Sequence, residues 1–146
     1  MTMTVRNVQP EDEAAIAELL SQLGYPASTL QVRARLAQLK NCATSIALVG
    51  VESERVVGFA TLEFGYSIAH DHPVGRIAAL VVDEPVRNRG IGASLLATCE
   101  RMLIERGVER IVLTSANHRE AAHRFYERHG YQGTGRRFVK QTAREG

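Results

Sequence analysis

Arg87-Asn88-Arg89-Gly90-Ile91-Gly92 lies between an apolar run, Ile77-Ala78-Ala79-Leu80-Val81-Val82, and an amphipathic segment from Ile91 to Arg106. A buried strand therefore feeds a short basic glycine loop that opens a helix. Such a loop suits a pyrophosphate. Glycines at 90 and 92 let backbone N–H groups approach a ligand closely. The helix start adds unpaired donors and the positive end of the helix dipole. Arg87 and Arg89 supply full charges of the matching sign. The stretch predicts a phosphorylated cofactor on an α/β protein.

The rest of the chain reads outward from that loop. Upstream, Val5–Val8 is a short strand, and Pro10 opens a helix with acids in its first turn and Ile16, Leu19, Leu20 and Leu23 as its stripe. Ser28 with Gln31 forms a capping box for a second helix carrying Val32, Leu36 and Leu39. Residues 45–51 and 56–68 are strands around a turn at 52–55, and 76–82 is a strand apolar enough to be buried on both faces. Downstream, the helix from Ile91 to Arg106 closes at Gly107, Arg110–Thr114 is a strand, and Arg119–His129 is a helix closed by Gly130. Tyr131 and Phe138–Gln141 read as two last strands. The expected order is β-α-α-β-β-β-α-β-α-β-β, an α/β domain with a mixed sheet.

Composition bounds the function. A chain of 146 residues is expected to be one domain, 1–146. An apolar share of 45% and a charged share of 23% are ordinary for a globular protein. No apolar stretch approaches the ~20 residues of a membrane span. The N-terminus lacks an apolar signal core, so a cytoplasmic location is expected, with no membrane partner. Cys42 and Cys99 are the two cysteines. They are far apart, and Cys99 shares a stripe with Leu95, Leu96, Met102 and Leu103, so neither a disulfide nor a zinc site is expected. The net charge of +2 divides into −3 over residues 1–73 and +5 over residues 74–146. The basic half holds the glycine loop, as a polyanionic cofactor favours. Its arginines are interleaved with glutamates and few aromatics, which disfavours nucleic acid.

Two motifs together resemble the GNAT superfamily of N-acetyltransferases. The first is Asp83-Glu84-Pro85-Val86-Arg87-Asn88-Arg89-Gly90-Ile91-Gly92, similar to the family's acyl-CoA signature Arg/Gln-x-x-Gly-x-Gly/Ala. The second is Asn117 followed by Ala121-Ala122-His123-Arg124-Phe125-Tyr126-Glu127-Arg128-His129-Gly130-Tyr131. It looks like the family's later Asn and its Phe-Tyr-Glu helix ending in Gly-Tyr. Spacing and element order match over nearly the whole chain. The resemblance implies acetyl-CoA as co-substrate and a primary amine, on a small molecule or a protein, as acceptor. It implies that Leu80, Val81 and Val82 pair with the pantetheine arm through their backbone. It assigns the pyrophosphate to Arg87, Asn88, Arg89, Gly90, Ile91, Gly92 and Ala93, with the Ser94 hydroxyl, and a later cofactor contact to Asn117. A backbone N–H near Leu80 or Val81 holds the developing oxyanion, and Tyr126 protonates the departing thiolate. A homodimer is compatible with the family, although no apolar strip marks an interface.

The chemistry is sound on its own terms. Binding amine and thioester in one cleft removes much of the entropic barrier. A well-placed phenol of pKa about 10 can serve a thiolate whose acid has pKa about 8.5. From the residues alone, Tyr126 reads more readily as a core residue stacked with Ala122 and His129, and the family resemblance reverses that preference. The general base departs from the family pattern. Ala78 and Ala79 stand where many members carry a glutamate. Glu63, a mid-strand acid beside Thr61 and Ser67, is the substitute, and its other reading is a solvated or paired surface carboxylate. His70 and His72 have only Asp71 nearby and make a poor metal site, so no metal is expected.

Other classes fit less well. Gly90-Ile91-Gly92-Ala93-Ser94-Leu95 lacks the third glycine of a dinucleotide fingerprint and comes late in the chain. No Gly-x-x-x-x-Gly-Lys-Ser/Thr is present. The remaining rival is a non-catalytic acyl-CoA sensor. The missing carboxylate permits it, and Tyr126 argues against it.

Overall fold

The computed structural model describes residues 2–114 and 120–143. The chain falls into two compact units, Met1–Leu113 and Thr114–Gly146. In the first unit β1 (Thr4–Asn7), α1 (Glu13–Leu23), α2 (Thr29–Lys40), β2 (Ser45–Glu52), β3 (Arg55–Gly65), β4 (Val74–Val82), α3 (Ile91–Ile104) and β5 (Arg110–Leu113) follow in order. Short 3₁₀ turns at Pro10–Asp12 and Glu84–Val86 precede α1 and α3. Five strands form one sheet in sequence order. They are antiparallel up to β4, and β4 pairs β5 in parallel. The α3 segment is the crossover that a parallel pair needs.

The sheet is covered on both sides. Phe59, Val49 and Val81 join Ile16 and Leu19 of α1 and Val32 of α2 in one core cluster. Gly58, the neighbour of Phe59, points the other way along the strand. A Cβ built there would lie 3.1 Å from Leu95 of α3. Thus α1 and α2 pack on one face and α3 on the other. The α3 stripe Ile91, Leu95, Leu96, Cys99 and Leu103 is fully buried, which explains the apolar spacing read from the sequence. In β4, Gly75, Ile77 and Val81 are buried while Arg76 and Ala78 are exposed, so the burial on both faces expected from its apolar run holds only in part.

Several local expectations change. Pro10 opens a 3₁₀ turn rather than the α-helix, which begins at Glu13. In α2 only Val32 is buried; Leu36 packs at the margin of the core. The long strand ends at Gly65 rather than Ile68, because β4 begins at Val74 and offers nothing to pair beyond it. Tyr66 and Ile68 are consequently exposed.

The second unit contains α4 (Glu120–Arg128). The helix of this segment was expected from Arg119, which lies outside the described residues. Among the described residues no strand forms at Tyr131 or over 138–141, where two last strands were expected. Phe138 and Val139 are exposed. Alternation alone makes no strand without a ladder partner. Among the described residues no helix is long and apolar enough to cross a membrane.

Candidate active site

Two irregularities in β4 create an open backbone edge. On the β3 side Thr61 pairs with Ala79 and Leu62 with Ile77, leaving Ala78 as a bulge. On the β5 side pairing runs only from Val74↔Arg110 to Ile77↔Leu113. From Ala78 to Val82, therefore, β4 has a ladder on one side and, among the described residues, none on the other. Among the described residues no strand pairs with Leu80, Val81 and Val82 on that second side, where an extended ligand could add a ladder.

That open edge runs into the basic glycine loop. Asn88 takes a left-handed conformation at φ 64°, and Gly90 another at φ 83°. Gly90 is the N-cap of α3, and no side chain caps the helix. The first intrahelical bond is donated by the Ser94 N–H to the Gly90 carbonyl, 3.1 Å. The N–H groups of Ile91, Gly92 and Ala93 have no acceptor within the helix by its geometry. They converge with the dipole end on one point, a site for an anion. The Ser94 side chain is exposed in the same first turn.

The two arginines are already oriented by protein groups. Arg87 Nε donates to the Val82 carbonyl at 2.8 Å, and its Nη2 to Gln22 Oε1 at 3.4 Å. Arg89 Nη2 donates to the buried carboxylate of Glu52 at 3.2 Å. Both keep further N–H donors for a ligand, since a guanidinium carries several in a fixed fork. Val82 thus offers its carbonyl first to Arg87. These partners lie far away in sequence, and no local pattern announces Gln22 or Glu52.

Glu63 sits on the α1 and α2 face of β3, in line with Phe59 and Thr61. It pairs opposite Arg76, whose Nη1 is 3.4 Å from Glu63 Oε1, and both side chains are about half exposed. Leu80 pairs opposite Ala60. Glu63 is therefore three residues along β3 from that point, roughly 10 Å at the strand rise. The same mutual neutralisation holds elsewhere: Asp12 with Arg6 and Glu13 with Arg33 within the acidic half, and Asp83 of the basic half with Arg55.

Tyr126 belongs to α4 in the second unit. Its ring meets Phe125 edge-on at 5.4 Å and Tyr131 at 6.0 Å. His129 stacks on Phe125 instead, and its Nδ1 lies 2.8 Å from the Phe125 carbonyl. Asn117 lies outside the described residues. Near the β3–β4 loop, His72 Nε2 is 2.8 Å from Glu109 Oε2, with both side chains exposed. Among the described residues no group of three or more His, Cys, Asp or Glu is arranged to hold a metal ion.

Comparison with known proteins gives the same fold. A family model described as the Acetyltransferase (GNAT) family matches residues 13–131. A curated relative, aminoalkylphosphonate N-acetyltransferase of Salmonella typhimurium, is 37% identical over 92 residues, 63% of this chain. The chain spans 60% of that relative's length. A crystal structure described as a transcriptional regulator from Bacillus halodurans superposes with a TM-score of 0.88 at 19% identity, over 96% of this chain and 99% of that one. An aminoglycoside N-acetyltransferase in complex with CoA superposes with a TM-score of 0.83 at 17% identity, over 97% and 96% of the two chains.

Proposed function

Because the chain belongs to the GNAT family of acetyltransferases, we propose that it moves an acetyl group from acetyl-CoA to the nitrogen of a primary amine by direct attack. The observation that carries this reading is the open edge of β4 running into the uncapped start of α3. The edge suits the amide-bearing pantetheine arm, and the loop suits the pyrophosphate. A single acyltransferase domain over 1–146 is part of the same proposal; the family match extends into both compact units.

The chain's groups divide the work. Backbone groups of Leu80, Val81 and Val82 align the arm. The N–H groups of Ile91, Gly92 and Ala93, with Arg87 and Arg89, hold the pyrophosphate, and Asn88, Gly90 and Ser94 shape and flank that turn. Asn117 is assigned a cofactor contact by the family pattern. A backbone N–H at Leu80 or Val81 stabilises negative charge on the acetyl oxygen as the amine attacks. The carbon–sulfur bond then breaks, and the Tyr126 hydroxyl gives its proton to the leaving thiolate. The amine loses its proton to water linked toward Glu63, since a carboxylate roughly 10 Å from the reacting strand position needs such a chain.

The acceptor is inferred to be a small primary amine. Asp12, Glu13, Glu52 and Glu63 of the N-terminal half are each paired with an arginine of the chain, which offsets part of its negative charge. The curated relative is named for aminoalkylphosphonates. An aminoalkylphosphonate is thus the first acceptor to try, beside polyamine, aminoglycoside and peptide pools.

Thiol release from acetyl-CoA with each pool tests the reading. The wild type is expected to release thiol with one class of amine. Tyr126→Phe is expected to lower kcat by about 10²-fold, within the usual range for a general acid, with CoA affinity kept. Release unchanged in Tyr126→Phe removes the acid assignment. CoA binding without release from any amine favours the sensor.

A further inference from the structure

Gln22, in the last turn of α1, makes contacts unlike those of a surface glutamine. Its Nε2 donates to Asp83 Oδ1 at 2.8 Å. Its Oε1 accepts from the Glu84 backbone N–H at 2.9 Å and from Arg87 Nη2 at 3.4 Å. Asp83 is buried, and its other oxygen accepts from Arg55 Nη2 at 2.9 Å. One neutral amide thus binds the residue that follows β4, the turn after it, and the first arginine of the glycine loop. The separation in sequence is 61 to 65 residues.

We propose that Gln22 is a positioning residue for the pyrophosphate loop, holding the chain after β4 and aiming Arg87 at the anion. The inference rests on the acetyl-CoA reading above. Arg87 has two fixed points, the Val82 carbonyl through Nε and Gln22 through Nη2. A planar guanidinium anchored at two nitrogens is fixed in orientation, and it keeps further N–H donors for an anion. Pre-orientation of this kind strengthens binding by lowering the ordering cost at the moment of association. The amide suits the task because it carries a donor and an acceptor at once and adds no charge beside a polyanion. A carboxylate would repel Asp83, and an ammonium would leave the Glu84 N–H without an acceptor.

The test compares two ligands that differ in the group Arg87 would hold. CoA carries the pyrophosphate and pantetheine does not. In Gln22→Leu, the Kd for CoA and the KM for acetyl-CoA are expected to rise about tenfold, as loss of contacts to a charged group allows. The kcat is expected to stay within about twofold, and turnover of S-acetylpantetheine to be unchanged, since the variant leaves the β4 edge intact. Gln22→Ala carries the same expectation, should the leucine variant not fold. A merely structural role would depress both substrates together and lower kcat. Equal losses for the two substrates, or no change in CoA affinity, would overturn the inference and leave the acetyltransferase reading standing. A wild type that binds no CoA overturns both.

Discussion

At the residue scale, the glycine loop depends on conformation before contact. Gly90 has φ 83°, and nothing lies within 4 Å of a Cβ built on it. Space is available, so strain alone decides what can stand there. A β-branched residue pays most in the left-handed region, and asparagine tolerates it. Gly90→Val is expected to cost about 1–2 kcal/mol of stability and to weaken CoA binding by turning the first N–H groups of α3. Gly90→Asn is expected to keep most of both. Thermal unfolding with calorimetric CoA titration compares the two; equal losses would show that the missing side chain, rather than the backbone angle, is what the site needs.

At the element scale, the junction of β1 with α1 is fixed by one carboxylate. Asp12 is 3% exposed and accepts from Arg6 at 2.7 and 3.0 Å and from the Gln9 N–H at 2.8 Å. The hydrogen bond from Arg6 holds the Asp12 carboxyl below its ordinary value, against the opposing effect of burial. A group with a lowered folded pKa contributes stability above its unfolded pKa, about 3.9 for Asp, and loses it as pH falls through the folded value. Denaturant unfolding is therefore expected to show an acid limb beginning near pH 4. In Asp12→Asn that limb should shrink, and stability at pH 7 should fall by about 1–3 kcal/mol. An unaltered pH profile would place the acid sensitivity in another carboxylate.

The packing of α3 is an element-scale matter too. A Cβ at Gly75 would lie 3.0 Å from Leu103 Cδ1 and Val108 Cγ1. Gly75→Ala is expected to destabilise by about 1–3 kcal/mol, because both neighbours are buried and must shift together. Gly65, at the open end of β3, meets nothing within 4 Å and takes alanine with a much smaller effect. Similar unfolding midpoints for the two variants would contradict this account of how closely α3 approaches the sheet.

At the scale of the whole molecule, the two thiols report on different things. Cys42 is exposed, and hydrogen bonds with Ser45 and then Thr44 draw its thiol pKa down. Cys99 is fully buried in the α3 core, and burial pushes its thiol up to about 12. One cysteine is expected to react promptly with a thiol reagent in the native protein. Cys99 is expected to react only as the first unit unfolds, so its labelling rate measures that opening. Two prompt thiols would mean that the α3 face opens locally.

The same scale separates what was readable in the chain from what was not. The strand–loop–helix around Arg87–Gly92 was legible because its signals are local: a continuous apolar run, paired glycines and a helical stripe. The capping box of Ser28 and Gln31 and the turn at 52–55 were legible for the same reason. The early end of β3, the bulge at Ala78 and the absence of strands at Tyr131 and 138–141 were not, because strands exist only where a partner offers a ladder. The charge count gives the excess of acids in the N-terminal half but not their partners: folding pairs Glu63 with Arg76 and Glu52 with Arg89 of the other half, and Asp83 of that half with Arg55.

The sequence by itself determined the family motif, the buried faces of α1 and α3, and the anion-binding character of the loop, since each follows from spacing along one segment. The tertiary structure alone decided which groups support that loop. Gln22 and Glu52 reach its arginines, and Arg55 reaches Asp83 ahead of it, from 28 to 65 residues away. Hydrogen bonds over such separations leave no periodic trace in the chain, because they depend on where the sheet register and the packing of α1 bring the side chains.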